Sequence, residues 1–145
     1  MEKIKQAALR YLARRDHSKA ELSQKLQRKG FAQEEIQCFL QYAAQKGWIK
    51  EERYIENYIR ARSAKGFGPL RIRLELQSKG ITHEKIAEQL NIADNAWLSI
   101  AARVFEKTRQ GQLSKEALVR AKQIRFLKQR GFTQEQIDFV FANAF

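Results

Sequence analysis

Leu26-Gln27-Arg28-Lys29-Gly30-Phe31-Ala32-Gln33-Glu34-Glu35-Ile36 returns twice along the chain, as Leu76-Gln77-Ser78-Lys79-Gly80-Ile81-Thr82-His83-Glu84-Lys85-Ile86 and as Leu127-Lys128-Gln129-Arg130-Gly131-Phe132-Thr133-Gln134-Glu135-Gln136-Ile137. The three glycines lie 50 and 51 residues apart. A near-constant period of that length marks a tandem repeat. Each copy reads as the end of one helix and the start of the next. With glycine as the left-handed residue just past the helix, the leucine (Leu26, Leu76, Leu127) and the apolar residue five positions on (Phe31, Ile81, Phe132) occupy the two positions that touch in a Schellman cap. Thr82 and Thr133 then stand where a helix N-cap is wanted, and Thr133 with Gln136 has capping-box spacing. Ala32 has no side-chain oxygen and cannot cap, so the first corner is expected to be the weakest.

Working outward, each glycine is preceded by two helical patterns. Ile4, Ala8, Tyr11 and Leu12, then Ile55, Tyr58, Ile59 and Arg62, then Trp97, Ala101, Val104 and Phe105 follow the spacing of an amphipathic helix. Ser18 with Glu21 opens one second helix as a capping box, and Pro69, after Gly68, opens the next at the first helical position, where its missing N–H costs nothing. Third helices carry Ile36, Phe39, Leu40 and Ala43, then Ile86 and Leu90, then Ile137, Val140, Phe141 and Ala144. No stretch reads as a strand. The expected fold is all-α: nine helices in three tandem three-helix repeats, helix-turn-helix-like in rhythm, over residues 1–50, 51–95 and 96–145. Such repeats form an elongated, curved body. Gly30, Gly68, Pro69, Gly80 and Gly131 are its structural corners, and Thr108 to Ser114, with its Gln-Gly-Gln, is expected to be a loop.

The composition narrows the function. The 145 residues carry a net charge of +12, which favours polyanionic partners by steering and by counterion release. The charge alternates with the repeat. Cations outnumber anions nine to three in residues 1–30, six to one in 58–80 and nine to two in 103–131, whereas the stretches between are each slightly acidic. First and second helices are therefore basic. A band of Arg14, Arg15, Lys19, Lys25, Arg28 and Lys29, then Arg60, Arg62, Lys65, Arg71, Arg73 and Lys79, then Arg109, Lys115, Arg120, Lys122, Arg125, Lys128 and Arg130 is the candidate contact surface. The plainer alternative is a solvated helix face whose cations also suit the helix dipoles.

Chemistry is not expected. His17 and His83 fall in unrelated corners, Gly66-Phe67-Gly68 lacks the Lys-Ser/Thr of a phosphate loop, and Cys38, between Ile36 and Phe39, is expected to be buried. One cysteine allows no internal disulfide, and no Cys/His cluster offers a metal site. No cofactor is expected either. There is no apolar run of about 18 residues and no signal-peptide pattern, so a cytoplasmic monomer away from membranes is expected.

The string Lys65-Gly66-Phe67-Gly68-Pro69-Leu70-Arg71-Ile72-Arg73-Leu74-Glu75-Leu76-Gln77-Ser78-Lys79-Gly80-Ile81 resembles the G-x-G-P-x-R-I-x-x-E-L-x-x-K-G-I signature of RecX proteins. Leu12 to Leu22 with Lys25-Leu26 and Gly30-Phe31 is similar to that family's amino-terminal motif, and Phe126 to Phe132 to its carboxy-terminal one. The resemblance implies a regulator that binds the recombinase RecA along its filament on single-stranded DNA. It further implies suppression of RecA's ATP hydrolysis, strand exchange and co-protease activity, in the setting of homologous recombination, DNA repair and the SOS response. Multivalent contact by three repeats fits a helical filament. The rival reading is a stand-alone, sequence-tolerant DNA-binding protein made of helix-turn-helix-like units, and weak direct contact with single- or double-stranded DNA is compatible with both.

Overall fold

At all three repeated glycines the chain turns as the Schellman pattern requires. In the computed structural model Gly30, Gly80 and Gly131 have φ of +98°, +82° and +104°. The Phe31, Ile81 and Phe132 N–H groups donate to Leu26 O, Leu76 O and Leu127 O at 3.3, 3.2 and 3.2 Å. The structure describes residues 1–108 and 116–143. Among these it has helices α1 (Glu2–Arg14), α2 (Lys19–Arg28), α3 (Gln33–Gln45), α4 (Glu51–Ala64), α5 (Pro69–Ser78), α6 (His83–Gln89), α7 (Ala96–Lys107), α8 (Ala117–Arg130) and α9 (Gln134–Ala142), and no strand. The chain is an all-α helical-repeat protein. The expected loop from Thr108 to Ser114, the cations Arg109 and Lys115, and Ala144 fall outside the described residues, save Thr108 itself.

The helix starts follow their side chains. Ser18 and Thr133 each form a full capping box, with Glu21 and Gln136 respectively, whereas Ala32 makes no side-chain cap bond. Pro69 opens α5 at its first position. Two further Schellman corners lie outside the repeated string. Trp48 N–H donates to Ala43 O at 2.9 Å after Gly47, and Phe67 N–H donates to Arg62 O at 3.1 Å after Gly66.

By its contacts the chain divides into two compact units, Met1–Asn57 with Leu76–Ile86, and Tyr58–Glu75 with Ala87–Phe145. Each unit takes part of α4 and part of α5. The first is built on Ile4, Ala8, Leu22, Leu26, Ile36, Phe39, Leu40, Ala43 and Ile49, with Tyr11, Phe31 and Trp48 packed against them. The second has a core of Ala101, Val104, Phe105, Leu127, Phe132, Ile137 and Val140. Removing these side chains from water is the main driving force for each unit, about 1.5–3 kcal/mol for each large apolar residue.

One expectation fails. Cys38 is exposed, not buried. The buried positions of α3 are Ile36, Phe39, Leu40 and Ala43, and Cys38 stands about 200° around the helix from Ile36. Adjacency to apolar residues in sequence did not place it on their face. Glu51 is the opposite case, a buried carboxylate at the first turn of α4. Its Oε2 accepts the Lys19 N–H at the start of α2 at 3.0 Å, and its Oε1 takes the Lys85 ammonium at 2.8 Å.

Candidate functional site

In the first unit the expected contact residues lie on and around α2. Arg14, Arg28 and Lys29 are exposed and form no ion pair among the described residues. Arg15 is committed, since its two Nη atoms donate to the Glu21 carboxylate at 3.2 and 2.9 Å. Burial pushes the Glu21 pKa up, but the hydrogen bonds from Arg15 and from the Ser18 N–H outweigh it and leave the value at about 2. Lys25 turns inward. Its ammonium lies 2.7 Å from His17 Nε2 and 5.1 Å from the centre of the Tyr11 ring. A lysine can only donate, so Nε2 accepts and the Nδ1–H donates to Arg15 O at 2.9 Å. Burial of His17 holds its pKa below the ordinary histidine value, which keeps the ring in that neutral form. Lys25, Arg28 and Lys79 line an open groove of about 410 Å³ between α2 and the end of α5. Gly80 lets these helices approach: a Cβ there would stand 2.3 Å from Ala20 Cβ.

In the second unit the cations gather around Phe67. The Arg62, Arg130 and Arg71 guanidiniums sit 3.8, 4.4 and 4.6 Å from its ring centre. Each such contact contributes on the order of 0.5–1 kcal/mol. Glu75 neutralises two of the three. It takes Arg62 Nε and Nη2 at 2.9 and 2.8 Å, Arg71 Nε at 3.2 Å and the Tyr58 hydroxyl at 2.9 Å. Burial raises the Glu75 pKa, yet the donors from Arg62, Tyr58 and Arg71 bring it below the usual carboxylate range.

The same segment forms a joint between two helix ends. At the start of α5 the Gly68 N–H donates to Arg130 O at 2.7 Å and the Leu70 N–H to Gly131 O at 2.9 Å. Arg71 Nη1 adds a bond to Gln129 O at 3.2 Å. Free N–H groups at one helix N-terminus thus satisfy free carbonyls at another's C-terminus. Pro69 sits between the two donors and has no N–H to leave unpaired. The backbones are so close that a Cβ on Gly68 would lie 2.5 Å from Gly131 C and 2.7 Å from Phe132 N. The string Gly68-Pro69-Leu70-Arg71, together with Glu75, therefore has an intramolecular task.

The expected site residues fall into two sets. Arg15, Lys25, Arg62, Arg71 and Arg130 are engaged with neighbours in their own unit. Arg14, Arg28, Lys29, Lys65, Arg73, Lys79, Arg120, Arg125 and Lys128 form no side-chain ion pair among the described residues, and Arg60 is exposed. Phe67, Tyr58 and Glu75 were not anticipated as a cluster. The one available signal was that Phe67 follows Gly66 as Phe31 follows Gly30. No group of three or more His, Cys, Asp or Glu among the described residues could hold a metal ion.

A helical-repeat protein with basic second helices is the class that this fold defines. Family models described as RecX, first three-helix domain, and RecX, second three-helix domain, match residues 5–42 and 51–90. Regulatory protein RecX of Legionella pneumophila (strain Corby) is 41% identical over 143 residues, covering 97% of this chain and 94% of the relative. Its counterpart in Pseudomonas entomophila (strain L48) is 37% identical over 134 residues, covering 92% and 86%. The chain belongs to the RecX family of regulatory proteins. A crystal structure of RecX from Lactobacillus salivarius, 22% identical, superposes with a TM-score of 0.86 over 99% of this chain and 95% of that one, and shares the fold.

Proposed function

We propose that the protein binds RecA and its filament on single-stranded DNA and lowers RecA's ATPase, strand-exchange and co-protease activities. Membership of the RecX family, with identity spread over 97% of the chain, carries this reading. It acts by contact, without a reaction of its own, as a cytoplasmic monomer of three repeats, 1–50, 51–95 and 96–145. No described helix is long and apolar enough to cross a membrane. The contacts are assigned to the cations without a partner in their own unit, Arg14, Arg28, Lys29, Lys65, Arg73, Lys79, Arg120, Arg125 and Lys128, because a cation already paired must lose that partner before it can bind another. Arg15, Lys25, Arg62, Arg71 and Arg130 shape the surface that presents them, and Arg60 joins the contact set by its exposure.

The test is a RecA pull-down and a DNA-dependent ATPase assay, run beside DNA binding alone. Substoichiometric protein is expected to be retained by RecA filaments and to reduce the ATPase. Unchanged ATPase at excess protein overturns the inhibitory reading, and a retained DNA shift in that case favours the stand-alone DNA-binding alternative.

A further inference from the structure

A small pocket in the second unit has a lining that the binding band accounts for only in part. It measures about 130 Å³ and is bordered by Lys65 and Gly66 after α4, by Arg103 and Lys107 on α7, and by Phe126 and Arg130 on α8. Among the described residues, four cations and no carboxylate line it. Arg103 and Lys107 were not among the expected contact residues, and neither forms an ion pair among the described residues.

Two observations separate this place from an ordinary basic surface. The first is Arg130. Its guanidinium is held by the faces of Phe67 and Phe126, at 4.4 and 5.5 Å from the ring centres. Glu75, which neutralises Arg62 and Arg71, makes no ion pair with it. The Arg130 Nε is buried without a hydrogen-bond acceptor among the described residues. A buried N–H donor without an acceptor is costly unless something compensates it. The second is the glycine at the rim. Gly66 has φ of +88°, and a Cβ there would stand 2.8 Å from Val104 Cγ2 and 3.8 Å from Arg130 Nη2. Glycine thus lets the α4 corner close down beside that guanidinium.

Helix ends do not supply the compensation. α4, α7 and α8 all terminate at the pocket, and each C-terminus offers roughly half a negative charge. Three ends together offset fewer than two of the four positive charges. The α8 carbonyls are in addition already taken by the Gly68 and Leu70 N–H groups. Arg103 Nη2 does bond a carbonyl, Ser63 O at 3.2 Å, which fixes its guanidinium at the rim without cancelling its charge.

We propose that this pocket binds a phosphate group of a nucleic-acid strand. Its volume of about 130 Å³, against the roughly 10–15 Å³ of such space that one water needs, is ample for a tetrahedral oxyanion with its water. Phosphate and arginine also match in geometry, because guanidinium edges present paired donors to oxyanion oxygens. The inference goes beyond RecA binding and is tested without RecA.

Thermal melts are compared in inorganic phosphate and in chloride at matched ionic strength, for the full chain, for Arg103→Gln/Lys107→Gln, and for the control pair Lys3→Gln/Arg10→Gln on α1, which removes the same charge elsewhere. Phosphate is expected to raise the melting temperature of the full chain and the control pair with an apparent Kd on the order of 1 mM. The pocket pair should melt normally in chloride and bind phosphate at least about tenfold more weakly. Short single-stranded DNA with a 5′-phosphate or a 5′-hydroxyl then identifies the source. Tighter binding of the phosphorylated strand, lost in the pocket pair, assigns a strand end. Equal binding of both strands, weakened more by the pocket pair than by the control pair, assigns an internal phosphodiester. If phosphate stabilises no more than chloride, or the two double variants behave alike throughout, the proposal is wrong.

Discussion

Replacing Gly68 by Ala adds one methyl group where two helix ends already touch through their backbones. The new Cβ would stand 2.5, 2.6 and 2.7 Å from Gly131 C, Gly131 O and Phe132 N. None of these is the end of a flexible side chain, so the α5 start and the α8 end must separate. Separation forfeits the Gly68 N–H to Arg130 O and Leu70 N–H to Gly131 O bonds at 2.7 and 2.9 Å. Overpacking costs about 1–3 kcal/mol, and two net hydrogen bonds add about 1–3 kcal/mol. A total near 3 kcal/mol lowers the melting temperature by roughly 10 °C in a protein of this size. Gly30 is the control, because a Cβ there meets nothing within 4 Å and only its φ of +98° resists substitution. Asparagine tolerates a left-handed backbone, so Gly30→Asn should melt within a few degrees of the wild type while Gly68→Asn should not. Circular dichroism melts decide it. If Gly68→Ala and Gly30→Asn lose equal stability, close backbone approach is not what requires Gly68.

At Gly80 both causes act, a φ of +82° and a Cβ position 2.3 Å from Ala20 Cβ. Gly80→Val should therefore cost about 3 kcal/mol, and adding Ala20→Gly to Gly80→Ala should restore only the part due to contact. Denaturant melts would count against this if Gly80→Val unfolded like wild type. Arg71→Ala, which removes the Glu75 and Gln129 O contacts at 3.2 Å, should destabilise by about 1–2 kcal/mol, whereas Arg73→Ala should melt normally and weaken binding to RecA filaments in a salt-dependent way. The reverse pattern in melts and pull-downs would remove the distinction between them. Stability should also fall with acid. His17 is depressed below its ordinary 6.5, so the unfolded chain takes up that proton first and the loss begins as pH drops through about 6.5. Glu21, depressed from 4.5 to about 2, adds a further loss as pH falls from about 4.5 towards 2. Arg15 is half exposed, which screens that contribution to the order of 1–2 kcal/mol. A melting temperature flat from pH 7 to pH 3 would contradict both assignments.

The corners were legible because each is local. Leu26, Gly30 and Phe31 lie within six residues, and the hydrogen bonds that close the turn span the same short distance. The corners at Gly47 and Gly66 carry the same offset to Trp48 and Phe67 but lack the flanking leucine, with Ala43 and Arg62 in its place. A search keyed to an apolar pair passes over them. The roles of the cations were not legible for a different reason. Arg71 reaches Gln129 O, 58 residues away, and Gly68 meets the end of α8. Helical periodicity places a residue on a face and says nothing of what faces it. Arg71 and Arg73 look alike in the sequence, and one is tied down while the other is not. Cys38 shows the same limit at a single position, since its apolar neighbours in sequence suggested burial and the helix turns it outward.

Synthesis from the amino terminus gives the α5–α8 joint a temporal consequence. The residues from Gly66 to Arg71 leave the ribosome long before Gly131 exists. At about 5–20 residues per second, the acceptors for the Gly68 and Leu70 amides arrive several seconds later. Until then the start of α5 has only water to bond, and Arg71 lacks its carbonyl partner. The nascent chain therefore carries its most distinctive segment unfinished until the end of α8 has been made.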